Sequence, residues 1–434
     1  MPLVAFYYII QVLTGVNAFA QSDVYLAVRA GGSGLIRVGI GGFESEKVTD
    51  TFNTVNKTIE NDLYNCGLFE VKTLSDSIEN AAGSLFEKWK TAGASYYLLG
   101  EESDNGNSVI VKLFDLKTAL TLFNEEYRII NEKPWYSAHV IVDDIIEHFT
   151  GIRGSMASQI AFIRTSSAGS DEIFLIDADG RNPRQLTFSR TLNMSPSWSP
   201  DGNTICYSSL SSNNWLIMMI NIHTGQSVNI SRWSGLNSAP EWSTVNPGLL
   251  AFTSSRDGNA EIYTCQSNGN GIRRLTNHLR IDSSPTWSPD GKLLAFTSDR
   301  TGAPKIYTMN SDGTNPRRLT LTLNAHEESP YWSPRGDRIA FVIMSDFGFD
   351  IATAATNGDN VTMLTYGQSS NEDPHWSPDG LRIVFSSNRT GKKNLYIMNW
   401  DGSNVRPLTI DGNSYSPAWA PADSGNDVRI SSVR

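Results

Sequence analysis

Six tryptophans recur along this chain at a nearly constant interval, and this repeat limits the possible fold more than any other feature. They lie 43 to 45 residues apart, at positions Trp198, Trp242, Trp287, Trp332, Trp376 and Trp419. A period of this length is typical of β-propellers, in which each repeat forms one four-stranded blade. Six repeats therefore predict six blades.

The repeat around Trp287 shows the expected four strands. Its inner strand ends at Pro289-Asp290-Gly291, a sequence that favours a tight turn. Two strands at 293–297 and 305–309 follow, and the repeat closes with Arg318-Leu319-Thr320. A single blade cannot bury both of its faces, so we expect the tryptophans to fill the gaps between neighbouring blades.

The ends of the repeat array predict how the ring closes. The first repeat begins with outer strands, at 160–163 and 172–176, and the last repeat ends with an inner strand at 416–420. Joining these strands would complete one blade from both ends of the array and remove free sheet edges. We predict a closed propeller over residues 155–422, followed by a C-terminal tail at 423–434.

Residues 34–154 have a different pattern, in which strands and helices alternate. The sequence predicts a strand at 35–40, a helix with Phe52, Val55, Ile59 and Leu63 on one face, and further strands near 96–99, 109–114 and 122–130. A closing helix begins near Pro134, the residue type favoured at a first helical position. The predicted fold class is α+β: a small N-terminal α/β domain followed by a six-bladed all-β propeller.

The first twenty residues form a segment of another kind. Residues 3–16 are mostly apolar, and Ala18-Phe19-Ala20 has the form of a signal-peptidase site, although no basic residue precedes Arg29. We predict a signal peptide at 1–20 and export of the chain. With 35 basic and 45 acidic residues the formal net charge is −10, which argues against nucleic acid as a partner.

Few residues suggest chemistry. Hydrolase, zinc-protease, phosphate-loop and Cys-x-x-Cys motifs are absent from the sequence, and we expect neither a cofactor nor a metal site. His326 and His375 stand beside inner-strand starts and are interpreted as solvated loop side chains. Cys206 and Cys265 fall on strands of neighbouring repeats, where we expect small buried apolar residues in preference to a disulfide.

The loops that lead into the inner strands converge on one end of the central channel and form the best candidate docking surface. Two of them carry acidic pairs, which would make one side of this channel mouth negative. Taken singly, each of these residues is better explained as a solvated turn or cap residue, and the docking surface is predicted for the ring as a whole. The candidates are Met194, Ser195, Leu236, Asn237, Ser283, Glu327, Glu328, Glu372, Asp373 and Tyr415.

The leader, the α/β domain that ends in Phe149-Thr150-Gly151-Ile152-Arg153-Gly154, and the six blades with Trp-Ser-Pro-Asp-Gly motifs together resemble the TolB family, the periplasmic propellers of the Tol–Pal envelope system. The resemblance implies a periplasmic monomer that is not an enzyme. It implies binding to the lipoprotein Pal and to the inner-membrane protein TolA, and association with the envelope membranes through these partners only. The implied role is in outer-membrane integrity and cell division.

The resemblance assigns the two partners to different regions. It places Pal on the candidate loops, although the family often has a His-Asn pair where this chain has Leu236-Asn237. It places TolA on an extended segment at 21–33, which could add to a partner's sheet edge or dock on its own domain. The TolA candidates are Ser22, Asp23, Val24, Leu26 and Val28.

Two other classes of function stay open on the sequence. One is a generic exported propeller that binds a small ligand, which the blade motif alone does not distinguish. The other is a propeller hydrolase: a peptidase would need a hydrolase domain that this sequence lacks, and a sugar-processing enzyme would need Glu328 and Asp373 paired across the channel.

Overall fold

The computed structural model describes residues 34–44, 50–79, 83–103, 107–231, 233–321 and 325–432. The described residues form two compact units, one of residues 34–157 together with 422–432 and one of residues 158–421. The expected signal peptide and the segment at 21–33 lie outside the described residues. Within the described ranges, no helix is both long enough and apolar enough to cross a membrane.

The first unit contains a mixed sheet and helices. Its strands, in chain order, are β1 Ile36–Glu44, β2 Phe69–Lys72, β3 Tyr96–Glu102, β4 Ser108–Asp115 and β5 Thr121–Arg128. Its described helices are α1 Asp50–Asn65, α2 Asp76–Glu79, α3 Leu85–Thr91 and α4 Pro134–Thr150. Strand β1 pairs in parallel with β2 and β3, and β3 to β5 are antiparallel. The predicted strands and the two long helices are confirmed, whereas β2, α2 and α3 were not predicted.

The two long helices follow their sequence signals. Helix α1 buries Phe52, Val55, Ile59 and Leu63, the residues that the helical spacing placed on one face. Helix α4 has Pro134 in its first turn and ends at Gly151, whose φ of 71° is in the left-handed region that favours glycine.

The second unit is a propeller of six four-stranded blades. In chain order its strands are β6 Gln159–Thr165, β7 Asp171–Asp177, β8 Arg184–Gln185, β9 Asn193–Trp198, β10 Thr204–Ser211, β11 Asn214–Asn221, β12 Ser227–Asn229, β13 Asn237–Trp242, β14 Leu249–Ser254, β15 Glu261–Gln266, β16 Arg273–Arg274, β17 Asp282–Trp287, β18 Leu293–Ser298, β19 Lys305–Asn310, β20 Arg317–Arg318, β21 Glu327–Trp332, β22 Arg338–Ser345, β23 Gly348–Ala355, β24 Thr362–Met363, β25 Asn371–Trp376, β26 Arg382–Ser387, β27 Asn394–Asn399, β28 Arg406–Pro407 and β29 Ser414–Trp419. Blade 1 consists of β29 and β6 to β8, and blades 2 to 6 each take the next four strands from β9 onward.

The predicted closure of the ring is confirmed. Strand β29 is the inner strand of blade 1 and pairs antiparallel with β6, with Ala418 opposite Ala161 and Trp419 opposite Ile160. The first and last strands of the propeller are thereby hydrogen-bonded within one sheet, so that neither is left unpaired.

The core of the propeller lies between adjacent blades. Each of the six apolar clusters there contains one of the six repeat tryptophans together with residues from two neighbouring blades. Trp287, for example, packs with Ala251 and Ile262 of the preceding blade. Cys206 and Cys265 belong to one such cluster as buried free thiols, which confirms their interpretation as small apolar core residues.

The expectation of a separate C-terminal tail at 423–434 is corrected by the structure. Residues Arg429–Ser432 form strand β30, which pairs antiparallel with β5 and ends the sheet of the first unit. Arg429 donates from Nε to the buried carboxylate of Asp144 at 2.9 Å, and Tyr136 donates to Asp423 at 2.9 Å. Pairing and burial therefore hold the C-terminal residues as part of the first unit.

Candidate protein-binding site at the channel mouth

The six inner strands of the propeller share one geometry, which determines what they present at the channel mouth. Each strand has a register shift after its second residue, and its third residue has a positive φ of 46° to 56°. Such φ values are uncommon for residues other than glycine. The third residues are Ser195, Ala239, Ser284, Ser329, Asp373 and Ser416.

This bulge turns the backbone N–H of the third residue toward the preceding blade. Ser284 donates to the Thr253 hydroxyl at 3.0 Å, and Ser329 donates to Thr297 at 3.2 Å. The second and third residues of all six strands are partly exposed, and we call this set the mouth ring. It consists of Met194, Ser195, Ser238, Ala239, Ser283, Ser284, Glu328, Ser329, Glu372, Asp373, Tyr415 and Ser416.

Three candidates from the sequence do not belong to the mouth ring. Asn237 and Glu327 are first residues of inner strands and are fully buried, and Leu236 lies in the loop before its strand. The Asn237 amide donates to the backbone oxygens of Trp215 and Trp233, at 3.0 and 3.2 Å. The Asn237 side chain therefore ties its strand to β11 and to the loop before it instead of facing a partner. The residues of blade 3 at the mouth are Ser238 and Ala239.

Glu327 of blade 5 is buried because it accepts a hydrogen bond from a threonine of blade 4, which has no acceptor of its own at the equivalent position. In blades 1, 3, 5 and 6 a residue among the first three of the third strand accepts a hydrogen bond from a buried threonine: Glu172, Glu261, Asp350 and Asn394. In blade 4 this position is Lys305, and Thr320 donates instead to Glu327 of blade 5. Lys305 pairs with Glu327 at 3.4 Å, so both charges are neutralised inside the propeller.

The acidic side chains that do reach the mouth have partners of their own. Glu328 contacts His326 at 2.8 Å, and Glu372 pairs with Lys393 at 2.7 Å. Asp373 accepts hydrogen bonds from the Ser386 hydroxyl and the Ser416 N–H, and burial raises its pKa. These carboxylates are therefore held by partners within the chain, and Glu372 is paired with a cation, Lys393.

Tyr415 extends this arrangement to blade 1. The Lys393 ammonium lies 5.7 Å from the centre of the Tyr415 ring. Burial and a hydrogen bond to Asp171 raise the pKa of Tyr415 above its usual value. Its hydroxyl is thus a hydrogen-bonding group that remains protonated under physiological conditions.

Below the mouth, a cluster of titratable side chains extends across the channel. Glu241 of blade 3 accepts hydrogen bonds from Ser197 of blade 2 and Tyr331 of blade 5, and burial raises the pKa of Glu241 to about 7. The Tyr331 ring lies 3.7 Å from that of His375, centre to centre, and burial lowers the pKa of His375 to about 3. His375 is therefore a neutral, buried side chain and not the solvated loop residue expected from the sequence.

Sequence reasoning missed Glu241 and Tyr331, although a signal was present. Each of these cluster residues immediately precedes a repeat tryptophan. The same inner-strand position, two residues after the bulged third residue, is occupied in four blades by Ser197, Glu241, Tyr331 and His375. Within the described residues, no group of three or more His, Cys, Asp or Glu side chains is arranged to hold a metal ion.

The Thr150-Gly151-Ile152-Arg153-Gly154 sequence has a structural explanation within the first unit. A Cβ atom at Gly154 would lie 2.4 Å from Asp143 Oδ1, so only glycine fits there. Asp143 is fully buried and accepts hydrogen bonds from the N–H groups of Met156 and Ala157. Arg153 pairs with Asp144, the same carboxylate that receives Arg429.

Comparison with known proteins supports this architecture. The family model of the TolB beta propeller domain matches residues 146–423, and that of the TolB amino-terminal domain matches residues 24–120. The crystal structure of TolB from Acinetobacter baumannii is similar with a TM-score of 0.77 and 28% identity, over 89% of this chain and 97% of that one.

Proteins that are similar to this chain in sequence are also named as TolB. The Protein TolB homolog of Chlorobium luteolum is 31% identical over 93% of this chain and 94% of its own length. The homolog of Chlorobium chlorochromatii is 34% identical over 63% of each chain. The Tol-Pal system protein TolB of Alcanivorax borkumensis is 29% identical over 55% of this chain, and the match spans 56% of that relative. With a propeller model that covers more than half of its length, the chain belongs to the TolB family.

Proposed function

We propose that this chain is a periplasmic, non-enzymatic scaffold of the Tol–Pal system, which supports outer-membrane integrity and cell division. The observation that carries the proposal is the mouth ring: six equivalent, bulged inner-strand positions that present partly exposed side chains around one end of the channel. Family membership supports the assignment, because one relative is named as a Tol-Pal system protein.

The mouth ring is the proposed binding face for Pal. Of the residues singled out in the sequence, Met194, Ser195, Ser283, Glu328, Glu372, Asp373 and Tyr415 stay in the proposed face, and Ser238 and Ala239 replace Leu236 and Asn237. Most of these side chains are short or already held by neighbours within the chain, so little conformational entropy is lost when a partner covers them. A folded domain can therefore dock there without rearranging the propeller.

The segment at 21–33 is the proposed binding site for TolA. Its alternating apolar residues Val24, Leu26 and Val28 suit addition of a strand to a partner's sheet. The amino-terminal family model begins at residue 24, within this segment. Both partners act through protein surfaces, so the chain itself would carry out no chemical step.

The experiment is a binding titration of the chain from residue 21 onward against the periplasmic domain of Pal from the same organism. Ser283→Arg places a large cation in the mouth ring and should weaken binding at least about 30-fold, as expected when the centre of an interface is blocked. Lys292→Glu is the matched control, because its side chain is 80% exposed in the turn at the opposite end of the inner strand. This control should bind like the unsubstituted chain.

A second arm of the same experiment tests the other partner. Removal of residues 21–33 should abolish binding to the periplasmic part of TolA and leave the affinity for Pal unchanged. If the unsubstituted chain fails to bind Pal, the scaffold function is wrong. If removal of the segment leaves TolA binding intact, the assignment of that segment is wrong.

A further inference from the structure

Blade 5 carries a patch of exposed apolar side chains on the mouth side of the propeller. Its strands β22 and β23 are eight residues long, whereas the corresponding strands of blades 3, 4 and 6 have six. The longer hairpin places Met344 and Phe347 at its tip, both more than half exposed. Tyr366, in the loop that follows β24, contacts Phe347 edge to face, with ring centres 5.4 Å apart. We call Met344, Phe347 and Tyr366 the hairpin patch.

The hairpin patch is held in place by hydrogen bonds. The Ser345 hydroxyl donates to Asp350 at 2.8 Å and accepts from the Phe347 N–H at 3.2 Å. On the side toward the channel, the Met344 N–H donates to the oxygen of His326, whose ring contacts Glu328 of the mouth ring. The hairpin patch is therefore ordered before binding and is continuous with the proposed Pal face.

The same exposed position recurs in neighbouring blades. In each blade concerned, a buried threonine follows the fourth strand and the next residue is a large apolar one with 61% to 88% of its surface exposed. Going around the ring, these residues occupy four consecutive blades, 4, 5, 6 and 1: Leu321, Tyr366, Ile410 and Phe188. Blade 3 has Asn277 at this position. The apolar residues thus form an arc on one side of the mouth, which we call the apolar arc.

The charges near the mouth make an apolar mode of binding the stronger one. Glu327 is buried, Glu328 contacts His326, and Glu372 pairs with Lys393. A carboxylate that is buried or already hydrogen-bonded within the chain is less available to a charged partner, and exposed ion pairs contribute little free energy. Exposed apolar groups, by contrast, release free energy when a partner covers them, and aromatic residues dominate the affinity of many interfaces.

We propose that the hairpin patch and the apolar arc supply most of the affinity for the lipoprotein domain, which docks through an apolar surface of its own and covers this side of the mouth. This inference rests on the proposed function and deepens it, because it assigns most of the binding free energy to the hairpin patch and the apolar arc instead of to the acidic pairs. The affinity should accordingly depend only weakly on ionic strength, since exposed charge pairs are what salt screens.

The test is calorimetric titration of the Pal periplasmic domain into the chain from residue 21 onward, at low and high salt. The double variant Phe347→Ser with Tyr366→Ser should bind at least about 30-fold more weakly, as expected for the loss of aromatic anchors. Ile410→Ser, in another blade of the arc, should weaken binding as well and tests the proposal independently of the hairpin. Leu279→Ser is the matched control, because Leu279 is 97% exposed in the loop after blade 3, outside the apolar arc.

The outcomes separate this inference from the function on which it rests. If the unsubstituted chain binds and both arc variants bind equally well, the inference is overturned and the scaffold function stands. If the unsubstituted chain does not bind, both are overturned. If sedimentation shows that the chain forms dimers that the double variant abolishes, the patch binds a second copy of the chain and the inference is overturned.

Discussion

The propeller and the first unit are both completed by strands from the end of the chain, yet only one of these completions follows from the sequence. In the propeller, β29 joins β6 to β8 and fills a place that the repeat pattern leaves vacant. In the first unit, β30 extends a sheet of order β2-β1-β3-β4-β5 that has no repeat and so no visible vacancy. Repetition makes a missing partner recognisable, whereas a unique sheet gives no indication of which distant segment will join it.

The two regions also differ in how they satisfy buried charge. In the first unit a single carboxylate, Asp144, receives Arg153, Arg429 and the Tyr127 hydroxyl. In the propeller, similar acceptors recur in blades 1, 3, 5 and 6, and each receives a hydrogen bond from a threonine. Loss of one interaction should therefore be costly in the first unit and more local in the propeller.

The largest expected effect tests this difference directly. Removal of residues 422–434 unpairs β5 and takes the half-exposed Arg429 away from the buried carboxylate of Asp144, and it should destabilise the first unit by about 3 kcal/mol or more, because a buried charged acceptor loses a partner. Hydrogen exchange followed by mass spectrometry should show lost protection in β4 and β5 and unchanged protection in the blades. Ile430→Ala, which keeps Arg429, is the control. Equal loss of protection in the blades would contradict the comparison.

A smaller effect should come from the channel cluster and should depend on pH. Because the pKa of Glu241 rises from its ordinary value near 4.5 to about 7, the folded chain keeps a proton that the unfolded chain loses. The stability of the propeller should therefore decrease as pH rises from about 4.5 to about 7, by on the order of 3 kcal/mol. Glu241→Gln should remove this dependence and be the more stable protein at pH 8.

Chemical unfolding of the propeller at pH 5 and pH 8 measures this effect. The control is Glu372→Gln, which changes a carboxylate at the mouth and should leave the pH dependence in place. If the unfolding free energy changes by the same amount between pH 5 and pH 8 in the unsubstituted chain and in Glu241→Gln, then Glu241 is ionised in the folded chain at both pH values and the prediction is wrong.

The smallest expected effect concerns the mouth itself. Glu372→Gln removes one partner of an ion pair with Lys393 whose side chains are 26% and 38% exposed. Solvent screens such pairs, so the unfolding free energy should fall by less than about 1 kcal/mol. A double-mutant cycle with Lys393→Met measures the pair alone. A coupling as large as that of a buried pair would show that the mouth is less accessible to water than its exposure indicates.

The sequence alone was enough to predict the blade count, the strand order within each blade, the closure by β29 and the positions of the six tryptophans in the core. These features follow from local periodicity, because each repeat has the same turn signals and alternation and can be compared with its neighbours. The strands β1, β3, β4 and β5 and the helices α1 and α4 were readable for the same reason, since their apolar residues recur at regular spacing.

Which mouth residues are available to a partner depends on contacts that form in the folded chain. Successive residues of a strand point to opposite sides, so Glu327 is buried and Glu328 is partly exposed although they are neighbours in an acidic pair. The burial of Glu327 depends on Lys305 in another blade, and the channel cluster joins side chains from blades 2, 3, 5 and 6. Such contacts link positions far apart in the chain, and no local pattern encodes them.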